Sequence, residues 1–483
     1  MSALGTAAAL RAGDLDAREV TEQALAAAAT RGAAVGAFAH VLDELSREQA
    51  ERAQHELEDA RRAGRLEDLA RRRPLLGVPL PVKDLTRIAG QPFEAGSTAL
   101  RGTIAEVTDG VAARILDAGT VTIGKTTTPE FGMPAYTEPA TGAPARTPWD
   151  VRRTAGGSSG GAGAAVASGV VDLAHGSDGG GSVRIPAACC GLVGIKPSRG
   201  LVSTGPFGTE GAGLVADGML ATTVRDAAAG LDLIAGPRPG DAQPAPLLPG
   251  GYLSACEAPA PEGLRIGVLT TPLAAEVDVH PAALRAVERT VALLRDLGHH
   301  PVPVPAPFTP QEWRSFMPLW TVGAATIPVP PEREGELLTL TRWLREQGRG
   351  YSGTDLLTAI SGVQALARRT GEAFADLDLV LTPGLAGPPA RPETLQLDDG
   401  AADFDAQCAF TPWTSTWNMT GAAAIAIPAH REEVDGVLLP FGVQLGGTGP
   451  GAEALLLQVA AQIEQHDPWP LRAADASRGG AGA

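Results

Sequence analysis

The chain has 483 residues, 44% hydrophobic and only 4% aromatic, and its 39 basic against 55 acidic side chains leave a net charge of −16. That balance excludes bulk electrostatic attraction to nucleic acid or to an anionic membrane surface. Cys189, Cys190, Cys256 and Cys408 fall in neither a C-x-x-C nor a Cys/His spacing, which argues against disulfides and structural zinc and for a reducing, cytoplasmic compartment. Residues 1–12 lack a basic region followed by an apolar block, and no apolar run has membrane-spanning length, so no membrane association is expected. The length would permit about three domains or one large α/β unit, with a core built mainly of Ala, Val, Leu and Ile.

Residues 3–63 read as helical, with Val20, Ala24 and Ala27 on one stripe and a run at 43–62 rich in i, i+4 acid–base pairs; residues 1–70 are expected to form a solvated helical layer. Next, residues 75–84 (LLGVPLPVKD) read as an apolar strand with edge-type prolines that ends in Lys83. A lysine there would ordinarily snorkel to solvent. A helical stripe at 110–118 then leads into the β-formers of 120–123. Formally, residues 119–126 match the P-loop pattern G-x-x-x-x-G-K-[ST], with Lys125 as its lysine. A phosphate-cradling loop needs a strand before its first glycine and a helix after its lysine; here the helix comes first and Pro129 discourages a second, so Lys125 is read as a strand end.

Residues 156–186 read GGSSGGAGAAVASGVVDLAHGSDGGGSVRIP. Ser158 and Ser182 each lie among glycines, where missing Cβ atoms permit positive φ and close approach of backbone N–H groups to a substrate. A Gly-Ser linker would share this composition but not the small apolar helix expected at 162–171, nor the compact run GLVGIKP that follows at 191–197. The paired serines between glycines, followed by G-[ST]-D-x-G-G-S-x-R-x-P, resemble the signature of the amidase signature family of serine hydrolases. Landmarks similar to the family's extend over residues 75–462, including the G-V-P-x-x-x-K-[DE] segment that ends at Asp84 and the segment 217–228, with Asp226 expected near a helix start.

Further on, residues 236–263 turn to Pro, Gly and Ala and read as a surface loop. A strand at 264–269, a helix at 281–297 and a strand at 302–304 fit one more α/β unit. Trp313, Phe316, Met317 and Trp320 share one helix face, read first as a core stripe and second as a pocket wall. A helix at 354–373 precedes a buried strand at 379–383, and the runs at 410–421, 425–428 and 439–445 resemble the family's closing motifs. The divisions read from this pass are a signature core at 71–235, a variable segment at 236–345, a C-terminal part at 346–470 and a disordered tail at 471–483.

The resemblance implies one large α/β domain, with a mixed central β-sheet covered by helices on both faces. It implies an amidase in which Lys83 is the base, Ser158 a bridging serine held by a cis peptide, and Ser182 the nucleophile. A serine nucleophile needs a proton acceptor. His175 is the one histidine near the signature; without a G-x-S-x-G elbow it reads as structural. A lysine must be neutral to act, and from a reference pKa of ~10.4 deprotonation near neutral pH costs roughly 4 kcal/mol in water, which burial in an apolar setting removes. Backbone N–H groups of Gly179, Gly180, Gly181 and Ser182 are expected to form the oxyanion site, with Ser159 beside it and Asp178 and Arg184 as braces. Met133, Trp413 and Trp417, with Trp313 and Trp320, are the expected substrate wall, and an apolar or aryl acyl group is the expected fit. A small amide is the expected partner, a homodimer stays open, and no cofactor or metal is implied. Departures from the family pattern are Gly179 where many members carry a bulkier residue, Thr147 for asparagine and Met219 for proline. The alternatives are an ester or carbamate hydrolase, an amidotransferase subunit, and a nucleotide binder through Lys125.

Overall fold

The computed structural model describes residues 1–209 and 211–473. From residue 474 on, the expected disordered tail lies outside the described residues. Eleven strands occur among the described residues: β1 (Phe38–Val41), β2 (Val82–Lys83), β3 (Gly124–Thr126), β4 (Leu173–Asp178), β5 (Val193–Lys196), β6 (Ala216–Ala221), β7 (Arg265–Val268), β8 (His300–Pro303), β9 (Leu379–Pro383), β10 (Ala424–Val434) and β11 (Val437–Gly447). Eight form one mixed sheet in the order β4-β6-β5-β10-β11-β9-β7-β8. Its pairings are antiparallel from β4 through β9 and parallel from β9 to β8.

Alternation along these strands assigns each face its cover, because successive side chains point to opposite sides. Leu173, Met219, Ile195, Ile425, Leu445, Leu379 and Leu381 enter one core together with the helices Val224–Ile234, Pro281–Asp296 and Glu453–His466. Their neighbours Ala174, Leu220 and Ala426 enter a second core under the helices Gly160–Ala167 and Arg184–Cys190. Val380 and Ala424 meet a third, aromatic cluster that contains Trp313, Phe316 and Phe404. Both faces are therefore covered, as the α/β reading expects.

The serine-rich stretch lies on the second of these faces. Every residue of the helix Gly160–Ala167 is buried, and a Cβ on Gly161 would come within 2.6 Å of the Ala37 and Thr127 carbonyl oxygens. Close packing of small residues fixes the loop that precedes it.

Local expectation and structure part at four places. β1 interrupts the helical reading of residues 1–70, because Phe38–Val41 pair antiparallel with β3. Only Val82–Lys83 of the expected 75–84 strand is extended in a ladder, since Pro79 and Pro81 have no N–H to donate; Pro79 forms an isolated bridge to Val121. After Gly119 the continuous strand begins at Gly124, and of the β-formers at 120–123 Val121 takes part only through that isolated bridge. Finally, the 236–263 loop contains the helix Tyr252–Glu257, whose first amides are accepted by Asp232 from another helix, at 2.6 and 2.9 Å.

Candidate active site

β2 ends at the edge of the second core and delivers Lys83 into it. The side chain is fully buried, and its Nζ lies 2.8 Å from Ser158 Oγ, 3.1 Å from Ser177 Oγ and 3.3 Å from the Ser177 carbonyl oxygen. No carboxylate is within ion-pair distance of Nζ among the described residues. Burial therefore dominates: it lowers the ammonium to a pKa of about 7, opposed at longer range by Asp178 and Asp217.

Ser158 follows a cis Gly157–Ser158 peptide. Position 157 has no room for a side chain, since a Cβ there would lie 2.5–2.7 Å from the Tyr136 backbone. Ser159 next to it is fully buried, and its hydroxyl donates to the Ser177 carbonyl and accepts from the Ser177 amide. It ties the two serine loops together and is not on the cavity wall. Its amide donates to the Ser182 carbonyl at 3.1 Å, so the two loops meet backbone to backbone. Among the described residues no hydrogen bond joins the hydroxyls of Ser158 and Ser182.

Asp178 and Arg184 hold the loop that carries Ser182. The Asp178 carboxylate accepts from the Gly181 and Val183 amides at 2.8 and 3.1 Å and from Arg184 Nε and Nη2 at 2.9 and 2.8 Å. Burial works against this charge, but the Arg184 guanidinium, with Lys196 and the Asn418 amide acting in the same sense, holds the carboxyl well below its ordinary range. Arg184 also reaches the Thr414 carbonyl, Gln444 and Asn418, and Asn418 Nδ2 returns to the Asp178 carbonyl at 2.9 Å. Gly181 adopts φ 132°, and a side chain there would strike Thr414.

The Gly181 amide is thus spent on Asp178, which corrects its expected place among the oxyanion donors. Among the described residues the amides of Gly179, Gly180 and Ser182 have no internal acceptor.

A cleft opens at Ser182 and Gly180 and is walled by Met133, Ile185, Trp313, Phe316, Trp320 and Phe404, with Gln407 and Cys408 also lining it. The stripe Trp313–Trp320 is therefore core and cleft wall at once, and Met133 also lines the cleft. Trp413 and Trp417 do not. Their rings are buried elsewhere, with indole N–H groups donating to the Thr271 and Gly447 carbonyls at 2.9 and 3.2 Å. Among the described residues no group of three or more His, Cys, Asp or Glu is placed to hold a metal ion.

Residues 19–457 match the sequence profile of the Amidase family. The chain belongs to the amidase signature family. The Mycobacterium tuberculosis protein AmiB2 is 37% identical over 406 residues, covering 84% of this chain and 85% of that protein. The 6-aminohexanoate-cyclic-dimer hydrolase of Paenarthrobacter ureafaciens is 35% identical over 433 residues, covering 83% and 85%. A solved structure of a 6-aminohexanoate cyclic dimer hydrolase with its substrate superposes with a TM-score of 0.87 at 29% identity, covering 97% of each chain. This amidase is accordingly an amide-cleaving hydrolase with the amidase signature fold.

Two other groups expected to be inert stand near this centre. His175 is fully buried; its Nδ1 accepts from the Lys83 amide at 3.4 Å and its Nε2 faces Asp217 at 3.0 Å, so it fixes the lysine's backbone. Lys125 is buried against Asp84 at 2.7 Å and has no open loop around it, which leaves the amidase no P-loop there. Ser177, Asn418, Thr414 and Gln444 went unselected in the sequence. Ser177 sits inside the signature itself, and Asn418 and Thr414 sit inside the closing run 410–421, so each lay in a segment already marked. No helix among the described residues is long and apolar enough to cross a membrane.

Proposed function

We propose that this amidase cleaves a linear carboxylic amide to an acid and an amine or ammonia through an acyl-enzyme on Ser182, with Ser158 as proton relay and Lys83 as base. The reading rests on one contact: a fully buried lysine that donates to, or accepts from, a serine hydroxyl at 2.8 Å and touches no carboxylate. An amine with a pKa of about 7 is substantially neutral at physiological pH, so the cost that bars a solvent-exposed lysine from acting as a base is gone.

Ser182 Oγ attacks the amide carbon while its proton passes to Ser158 Oγ and the Ser158 proton passes to Lys83 Nζ. The carbonyl oxygen becomes negative where the amides of Gly179, Gly180 and Ser182 are free to donate, each such donor being worth roughly 3–4 kcal/mol. Collapse breaks the C–N bond, and the lysine ammonium returns a proton through Ser158 to the departing nitrogen. Water then attacks the Ser182 ester and loses its proton along the same path. Expulsion of Ser182 Oγ, which takes that proton back, restores the resting enzyme. The Ser158 and Ser182 hydroxyls must draw together when substrate binds, as catalytic hydrogen bonds commonly do.

The test is a serine-directed sulfonyl fluoride followed by peptide mass spectrometry, with Ser182 as the expected adduct; labelling of another residue overturns the assignment. Ser182→Ala is expected to abolish turnover. Lys83→Ala should cost more on anilides than on p-nitrophenyl esters, because an amine leaves only when protonated and nitrophenolate does not need the proton. Equal losses on both would defeat the acid–base role.

A further inference from the structure

The cleft beside Ser182 is built from aromatic rings in a continuous stack. Trp313 and Phe316 have centroids 5.4 Å apart at 29°, Phe316 and Trp320 5.5 Å apart at 28°, and Trp313 and Phe404 6.5 Å apart at 28°. In a chain with 4% aromatic residues this concentration is unusual. Among the described residues no charged side chain lines the cleft.

Its polar groups are already engaged. Trp313 Nε1 donates to Ser415 Oγ at 2.9 Å, Gln407 Oε1 accepts from the Ala135 amide at 2.6 Å, and Gln407 Nε2 donates to Asp403. Thr411 Oγ1 donates to the Gln407 carbonyl at 2.9 Å, and burial pushes the Cys408 thiol up to about 12, so it stays uncharged. A ligand group entering here therefore finds ring faces and edges and little to solvate a charge.

The stack ends on the oxyanion loop. A Cβ on Gly179 would lie 3.3 Å from Trp320 Cζ3 and 3.3 Å from Val215 Cγ2, so the missing side chain is what lets the Trp320 indole rest against the loop. Gly180 and Ser182 line the same cleft as the rings, whereas Ser158 does not. If Ser158 hands the leaving nitrogen its proton, the amine half of the substrate faces Ser158 and the half on the rings is the acyl half.

We infer that the Trp313–Phe316–Trp320–Phe404 stack is the acyl site, that it takes an uncharged planar acyl group such as that of an aromatic carboxamide, and that Trp320, seated on Gly179, determines this preference. The inference rests on Ser182 being the nucleophile.

The experiment compares 4-nitroanilides of benzoic, cyclohexanecarboxylic, butyric and succinic acids, and separately benzamides of several amines. Benzoyl should exceed cyclohexanecarbonyl by about tenfold in kcat/KM, the size expected when one face-to-ring contact is gained, with the charged succinyl last. Trp320→Leu should abolish that benzoyl-to-cyclohexanecarbonyl ratio, Trp320→Phe should retain most of it, and Gly179→Ala, which pushes the indole, should reduce it. A ratio unchanged in Trp320→Leu, or a preference that follows the amine series alone, overturns the inference. Tryptophan fluorescence quenching by benzamide against cyclohexanecarboxamide reads the site without turnover. Quenching selective for benzamide in a protein that hydrolyses no amide would sink the Ser182 reading and keep the aromatic site; hydrolysis without aromatic preference would do the reverse.

Discussion

Lys83 and Lys125 lie on neighbouring strands, with Val82 opposite Lys125 and Lys83 opposite Thr126 in the parallel β2–β3 pair, so their side chains leave opposite faces of it. Both side chains are fully buried. What surrounds them differs. Lys125 Nζ meets the Asp84 carboxylate at 2.7 Å, the Pro92 carbonyl at 3.3 Å and the Phe93 ring at 5.6 Å, whereas Lys83 Nζ meets two hydroxyls and a carbonyl. Burial lowers both ammoniums, and for Lys125 a carboxylate in direct contact pulls the other way. Desolvation thus leaves a lysine free of any carboxylate at one position, the base of the proposed mechanism, and an internal ion pair at the other, and the deciding atom is the partner, not the burial.

The comparison can be broken most sharply by exchanging each lysine for methionine. Lys83→Met should lower kcat on amides by at least about 10²–10⁴-fold, the range of general acid–base catalysis, while its urea midpoint holds or rises, since the folded state no longer has to keep a desolvated amine. Lys125→Met should do the opposite, leaving Asp84 buried without its cation at a cost of about 3–5 kcal/mol in urea unfolding. Should Lys125→Met leave stability intact, the two lysines are not distinguished by their partners.

The pH dependence sharpens the same contrast. With the neutral amine as the proposed base, kcat/KM should rise as pH passes about 7. Lys83 should contribute a rise in stability with pH between about 7 and 10.4, since in that window the unfolded chain binds a proton there that the folded chain does not. Lys83→Met should make the net slope less positive, on top of a like-signed contribution from Lys196, lowered to about 7 by burial and then by Arg184, and an opposite one from the four buried cysteines, whose thiols burial raises. Urea midpoints at pH 7.5, 8.5 and 9.5 measure it, and an unaltered slope in Lys83→Met would contradict a depressed lysine. The smallest effect is expected from Ser177→Ala, which removes one hydrogen bond to Nζ worth about 1 kcal/mol and should show as a less than tenfold fall in kcat with the acid limb displaced.

Some of this was legible residue by residue. The strand at 379–383 and the helices at 110–117 and 281–296 follow from periodicity and breakers, and each lies within a few residues of its reading. The loop that presents Ser182 was marked by glycines, and Asp178 and Arg184 close on each other from within it. Trp413 and Trp417 were chosen as wall residues because tryptophans are rare here, yet rarity says nothing about which way a ring faces; both indoles turned to backbone carbonyls. The stripe Trp313–Trp320 gave its spacing correctly, but a stripe does not say whether the surface it meets is filled or open. β1 was missed because a four-residue strand with an intermediate-to-exposed pattern carries little local signal and exists through its pairing with β3.

The amino-acid sequence by itself determined the alternation that gives the sheet two covered faces and the glycines that let Ser182's loop form, because these depend on backbone sterics and on neighbours within a few residues. Only the tertiary structure decided which of two buried lysines is free of a carboxylate, which amides beside Ser182 remain unspent, and which aromatic rings face the cleft. Those properties are set by the nearest few atoms, and here they come from segments tens to hundreds of residues apart, such as Ser177 against Lys83 and Asn418 against Asp178.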